Sequence, residues 1–268
     1  MIETAYAKIN LALHVRRRRE DGYHALETLF AFVDAGDALS VQPAPQDQLR
    51  MLGEFGNQLT DPFGNIVMQA LSALPRPQGW AVTLEKNLPV AAGLGGGSAD
   101  AGALFRLYDR EYGLPDDWHE RAAKLGADVP ACVRSVTAAG RGTGTELAEV
   151  DSDLAGMPVL LVNPRVPLST GPVFKGWDGV DLGPLPEGPV SSISRNGRND
   201  LEASAIALCP AVARVLAALA ETQPWLARMS GSGATCFALY EDAAQRDAAA
   251  AALATAQPGW WQLAGALR

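Results

Sequence analysis

Residues 89–103 read Pro-Val-Ala-Ala-Gly-Leu-Gly-Gly-Gly-Ser-Ala-Asp-Ala-Gly-Ala, so Gly93, Gly95, Gly96 and Gly97 fall within five positions. Glycine reaches φ > 0 and places no Cβ between main-chain N–H groups and a ligand. Ser98 follows at once as a candidate N-cap, and a helix N-terminus gathers unpaired N–H groups and a partial positive charge. The combination predicts an anion cradle, with phosphate its usual guest. A plain surface loop is the alternative, because glycine-rich dipeptides mark turns generally. The flanks favour the cradle. Ala81-Val82-Thr83-Leu84 reads as a strand entering it, and Leu104, Leu107 and Tyr108 as the stripe of a helix leaving it.

Known phosphate loops narrow the reading. No Lys precedes Ser98, which excludes a Walker A loop. Counted from Gly93, the third glycine of a dinucleotide fingerprint is Ser98; counted from Gly95, it is Asp100. The H-R-D and D-F-G segments of protein kinases are absent.

Composition sets further bounds. The chain has 268 residues, enough for one large domain or two modest ones, and its 48% hydrophobic content supports a sizeable core rather than disorder. A net charge of −8 disfavours general nucleic-acid or anionic-membrane binding, so an anionic substrate would need locally placed cations and N–H groups. Cys132, Cys209 and Cys236 are too few and too scattered for a disulfide framework or metal cluster. Lys8 and Asn10 interrupt any secretory apolar stretch, and no apolar run approaches about twenty residues. The expectation is a soluble cytoplasmic protein.

Along the chain, Ala7, Ile9, Leu11 and Leu13 share one face of a strand, while Lys8 and Asn10 share the other. Arg16 to Gly22 reads as a charged turn, with a solvated face favoured over a diphosphate clamp for Arg16 to Arg19. Strands are expected at 28–33 and 37–41, with loop and short strand over 43–64. Helices are expected over 65–74, from the glycine loop to Tyr112, and after Asp116 or Asp117 to Gly126. Then come a strand at 158–163, a long loop over 164–198, and helices from Asp200 and Pro210. A strand at 235–240, a helix capped by Asp242 and a strand at 260–266 complete the pattern. It fits a two-part α+β protein divided near 150–157.

The loop P-x-x-x-G-L-G-G-G-S-A-D-A resembles the phosphate loop of the GHMP kinases, which phosphorylate small-molecule hydroxyls. Ala7 to Leu11, Asp21 to Phe30, Gly126 to Pro130, Asn199 to Glu202 and Ser230 to Phe237 resemble further segments of one branch. That branch phosphorylates the 2-hydroxyl of 4-diphosphocytidyl-2-C-methyl-D-erythritol in the non-mevalonate isoprenoid precursor pathway. The resemblance implies a GHMP kinase fold: a ribosomal protein S5 domain 2-like N-terminal domain over 1–153 and a ferredoxin-like C-terminal domain over 154–268. It implies ATP as co-substrate, with Mg²⁺ whose ligands are unknown, and neither nucleic acid nor membrane as partner. Lys8 and Asp128 would be the catalytic pair, and Asn10 would fix the substrate hydroxyl. Tyr23, His24 and Phe30 resemble cytidine-binding residues, although Phe30 can equally be core. Thr170 and Phe174 fall where further contacts to that substrate end occur. Pro89, Gly93, Leu94, Gly95, Gly96, Gly97, Ser98 and Ala99 would hold ATP; Asn65 would contact adenine or cap a helix. Asp100 stands where related sequences often carry Asn. A carboxylate there is tolerable only if it faces away from the phosphates or helps hold Mg²⁺.

Overall fold

The computed structural model describes residues 1–58 and 64–268. The chain forms two compact units, each assembled from separate stretches: Met1–Lys8, Ala35–Val90 and Gly95–Ser135 in the first, Ile9–Asp34, Ala91–Leu94 and Val136–Arg268 in the second.

Two long strands open the chain, β1 (Ile2–Arg18) and β2 (His24–Ala44), and they pair with each other. The strands expected at 28–33 and 37–41 are thus one. β1 also runs on to Arg18, so Arg16 to Arg18 are strand rather than turn. In the first unit β3 (Gln48–Leu52) runs parallel to β4 (Gly79–Glu85), and β4 pairs antiparallel with β2 through Ala38↔Glu85 to Ala44↔Gly79. Of the expected 43–64 segment, residues 59–63 lie outside the described residues. Four helices complete this unit: α1 (Ile66–Ala73), α2 (Gly96–Tyr112), α3 (Trp118–Leu125) and α4 (Val129–Arg134). Helix α2 is their centre because its small residues allow close approach. A Cβ on Gly102 would lie 2.5 Å from the Cys132 carbonyl carbon, so α4 packs backbone against α2 there.

In the second unit β5 (Ala138–Arg141) joins β2 through Thr28↔Gly140, and β6 (Glu146–Glu149) extends the edge. Strand β7 (Pro158–Asn163) follows. The stretch expected as loop, 164–198, contains two short helices, α5 (Thr170–Lys175) and α6 (Val190–Asn196). Then come α7 (Glu202–Leu208), α8 (Ala211–Glu221), β8 (Leu226–Met229), β9 (Cys236–Leu239), α9 (Ala243–Ala256) and β10 (Trp261–Ala266). Strands β7 to β10 form an antiparallel sheet in the order β10-β7-β9-β8. With helices between β7 and β8 and between β9 and β10, this is the ferredoxin-like arrangement. Leu160 and Val162 of β7 bury one face against Val212, Val215 and Leu219 of α8 and Leu253 of α9. Among the described residues no single helix is long and apolar enough to cross a membrane.

Candidate functional site

In the first unit the glycine loop ends on a left-handed residue. Gly95 has φ +61° and caps α2, which begins at Gly96. Ser98 is therefore inside the first turn rather than its N-cap. The first hydrogen bond of the helix runs from the Ala99 N–H to the Gly95 carbonyl (2.7 Å), so the amides of Gly96, Gly97 and Ser98 precede it. Three N–H groups thus lie at the positive end of a 17-residue helix, an arrangement suited to an anion.

The same loop lies against the predicted catalytic pair. Lys8 Nζ stands 2.9 Å from Asp128 Oδ2. Lys8 is almost wholly buried, while the Asp128 side chain keeps 32% of its exposure. A Cβ on Gly95 would come within 3.0 Å of Lys8 Cε and 3.6 Å of Asp128 Oδ2. Asp128 precedes α4, and the following Pro130 suits a helix's first turn because it needs no N–H donor there. Asn65 caps α1, its Oδ1 accepting from the Val67 N–H at 2.9 Å. Pro89 and Ala99 are buried.

The Asp100 side chain is buried, its Oδ2 accepting from Lys86 Nζ at 2.9 Å, and Asp37 shares the same ammonium. All three side chains are buried. Neither Lys86 nor Asp37 is recognisable from sequence, because a lysine at a strand end and an aspartate in a strand usually face solvent.

In the second unit Asn10 donates through Nδ2 to Thr28 Oγ1 (2.7 Å), and Thr28 in turn donates to the Ala12 carbonyl (2.8 Å). The Asn10 N–H donates to Ser230 Oγ at 3.3 Å, and Ser230 donates to the Gly93 carbonyl at 2.8 Å. The Ser230–Ser232 turn thereby meets the start of the glycine loop, whose Leu94 is buried. Gly93 allows this approach, because a Cβ there would lie 2.3 Å from the Ser230 carbonyl oxygen.

His24 opens β2 and packs against Phe174 (ring centroids 5.2 Å apart) and Trp177 (5.8 Å, edge-on). Among the described residues its buried Nε2 has no hydrogen-bond partner. Burial and then the Arg18 charge lower the His24 pKa, which favours the neutral ring and leaves one nitrogen able to accept. Tyr23 is 65% exposed beside it. Thr170 Oγ1 lies 2.9 Å from Ser232 Oγ. Phe30, by contrast, is buried against β5, where a Cβ on Gly140 would meet its ring at 2.7 Å. Trp177 was missed because 164–198 reads as loop; a tryptophan among Pro and Gly was its one signal.

The arginine run has specific partners. Arg16 pairs with Glu27 (3.1 Å) and Asp181 (3.0 Å), and Arg18 donates to the Trp177 carbonyl at 2.6 Å. These cations hold down the segment carrying Trp177 and Asp181.

A profile of the GHMP kinases N terminal domain matches residues 65–135, and one of the GHMP kinases C terminal domain matches 190–258. The chain belongs to the GHMP kinase family. A 4-diphosphocytidyl-2-C-methyl-D-erythritol kinase of Novosphingobium aromaticivorans is 68% identical, over 99% of this chain and 92% of its own length. One of Paracoccus denitrificans is 45% identical, over 99% and 96%. A crystal structure of a 4-(cytidine 5'-diphospho)-2C-methyl-D-erythritol kinase superposes with a TM-score of 0.82 at 34% identity, covering 100% of this chain and 99% of that one. A homoserine kinase of Cytophaga hutchinsonii shares the fold at 17% identity and a TM-score of 0.66.

Proposed function

We propose that this kinase transfers the γ-phosphoryl group of ATP to the 2-hydroxyl of 4-diphosphocytidyl-2-C-methyl-D-erythritol, a step in isoprenoid precursor synthesis. The common name of its relatives along the whole chain supports the substrate. The observation that carries the chemistry is the Lys8–Asp128 contact at 2.9 Å beside Gly95. Phosphoryl transfer has a loose transition state, so positioning and charge stabilisation outweigh strong base catalysis. The partly exposed Asp128 carboxylate orients the hydroxyl, takes its proton as the new P–O bond forms and the bond to ADP breaks, and returns it to solvent. Lys8 offsets charge growing on the transferred group. The amides of Gly96, Gly97 and Ser98 hold ATP phosphates, with Asn65 at the adenine end. Asn10, two residues from Lys8 on β1, anchors the substrate alcohol. Tyr23, His24, Phe174 and Thr170 receive the cytidine end, and Phe30 supports them from the core.

Mg²⁺ accompanies ATP in this reading. Among the described residues no group of three or more His, Cys, Asp or Glu side chains converges, and Asp100 is turned onto Lys86, so no ligand is assigned and no step runs through the metal. The cytoplasm is the proposed location, and small molecules the proposed partners. The 1–153 and 154–268 division is retained as a proposal; the two family profiles fall one on each side of it.

An ADP-release assay over a panel of alcohols tests the assignment. The CDP-linked alcohol should be preferred over its UDP-linked analogue, free methylerythritol phosphate, homoserine and mevalonate. His24→Ala should lower kcat/KM for the CDP-linked substrate roughly ten- to several-hundred-fold, through lost stacking and an unpaired base edge, with KM for ATP unmoved. Equal use of the CDP- and UDP-linked compounds refutes cytosine reading.

A further inference from the structure

The buried trio under the phosphate loop has unequal members. Asp37 Oδ1 accepts from the backbone N–H groups of Asn87 (2.6 Å) and Leu88 (2.8 Å), and its Oδ2 accepts from Lys86. Asp37 thus has the donors that an ionised carboxylate needs. Asp100 accepts from Lys86 at 2.9 Å, and its carboxyl also borders that of Asp37; its Oδ1 is buried with no hydrogen-bond partner among the described residues. An ionised carboxylate with an unsatisfied buried oxygen is costly, whereas a carboxylic acid is not held to the same demand. The Lys86 ammonium lies 3.3 Å from where a Cβ on Gly96 would stand, so the trio's charge sits directly beneath the loop. Its backbone is pinned as well, because the Lys86 N–H donates to the Leu52 carbonyl and its own carbonyl accepts from the Phe55 N–H.

We propose that Asp100 is a positioning residue for the phosphate loop: a neutral carboxylic acid that shares the Lys86 ammonium with Asp37 and ties the first turns of α2 to the end of β4. The trio then carries no net charge where a triphosphate must bind. This rests on the reading of the loop as the ATP phosphate site. The surroundings agree. Burial, and then Asp37, push the Asp100 carboxyl well above its ordinary range against the pull of Lys86. Of the helices packed on α2, α1 brings no charged side chain, α3 carries Glu120, Arg121 and Lys124, which are not among the groups that shift Asp100, and α4 carries Arg134 and Cys132, whose thiol burial keeps neutral. As pH rises through the raised value, the trio gains a negative charge and opposes ATP.

The test compares wild type, Asp100→Asn and Asp100→Ala by steady-state kinetics between about pH 6 and about pH 9. Wild-type KM for ATP should rise several-fold towards alkaline pH with kcat less affected. Asp100→Asn, a permanently neutral isostere, should flatten that rise. Asp100→Ala, neutral but without a bond to Lys86, should raise KM for ATP about tenfold at every pH. The infrared difference spectrum of wild type minus Asp100→Asn should contain a protonated-carboxyl C=O band. Absence of that band, or an alkaline rise in Asp100→Asn equal to that of wild type, overturns the proposal. A folded Gly95→Val protein with normal ATP affinity would instead remove the loop reading on which it rests, while the band would persist.

Discussion

Lys8 and Asp128 show how far single residues can be read. The alternation Ala7, Ile9, Leu11 against Lys8, Asn10 placed the lysine on the polar face of a strand, and the structure puts its ammonium 2.9 Å from Asp128. Motif resemblance, not spacing, pointed to that partner. Lys86 and Asp37 form a contact of the same kind and left no trace, since long-range pairing between a strand end and another strand has no local pattern. We expect Lys8→Ala and Asp128→Asn each to lower kcat roughly 10²–10⁴-fold, because each removes a group proposed to act in the transition state. KM for ATP should change less, since the amides that hold the phosphates remain. Steady-state rates decide it, and wild-type turnover by both variants would place the catalytic centre elsewhere.

At the scale of elements, periodicity located most helices and strands but misjudged their ends. Ser98 looked like the cap of α2; the left-handed Gly95 takes that place and starts the helix three residues earlier than a cap at Ser98 would. Arg16 to Arg18 looked like a turn because charge clusters usually are. Instead they extend β1, each second arginine reaching Glu27, Asp181 or the Trp177 carbonyl. Two glycines of the same segment separate function from packing. Gly95→Val forces a β-branched residue to φ +61° and sets a Cβ 3.0 Å from Lys8 Cε, so ATP use should fall at least tenfold while the fold survives a strain of about 1–2 kcal/mol. Gly102→Ala drives a Cβ to 2.5 Å from the Cys132 backbone, on the α4-facing side of α2 and about one turn beyond Ser98. It should cost about 1–3 kcal/mol in thermal unfolding, with KM for ATP moving less than in Gly95→Val. The opposite ranking would dissociate the loop from ATP binding.

For the whole molecule, composition and element order were enough to read a two-part α+β protein, and motif resemblance added the kinase. They could not show that each unit is assembled from separate stretches, because β1 and β2 supply both units. Distant segments therefore meet inside one unit, and His14 marks such a meeting. It lies fully buried on β1 in the second unit, with Nδ1 3.1 Å from the Gly183 carbonyl and Nε2 3.2 Å from the Arg198 N–H. An amide donor at Nε2 and a carbonyl acceptor at Nδ1 assign the neutral Nδ1–H tautomer. A proton on Nε2 would set N–H against N–H. Burial, then the Arg198 charge, accordingly lower the His14 pKa from its ordinary value of 6.5, outweighing Asp200. The sign follows: a depressed folded pKa means the neutral ring's contribution is fully present above the unfolded value and is lost as pH falls towards the folded one. His24, lowered by burial and Arg18, acts in the same direction. Tm should therefore decline as pH falls from about 7 to about 5. His14→Gln, which cannot take up the proton, should have a lower Tm at neutral pH and a shallower acid decline. Thermal unfolding across that range is the measurement. An acid slope in His14→Gln as steep as in wild type would show that this crossing of β1 with the 183 and 198 segments is not what acid loosens first.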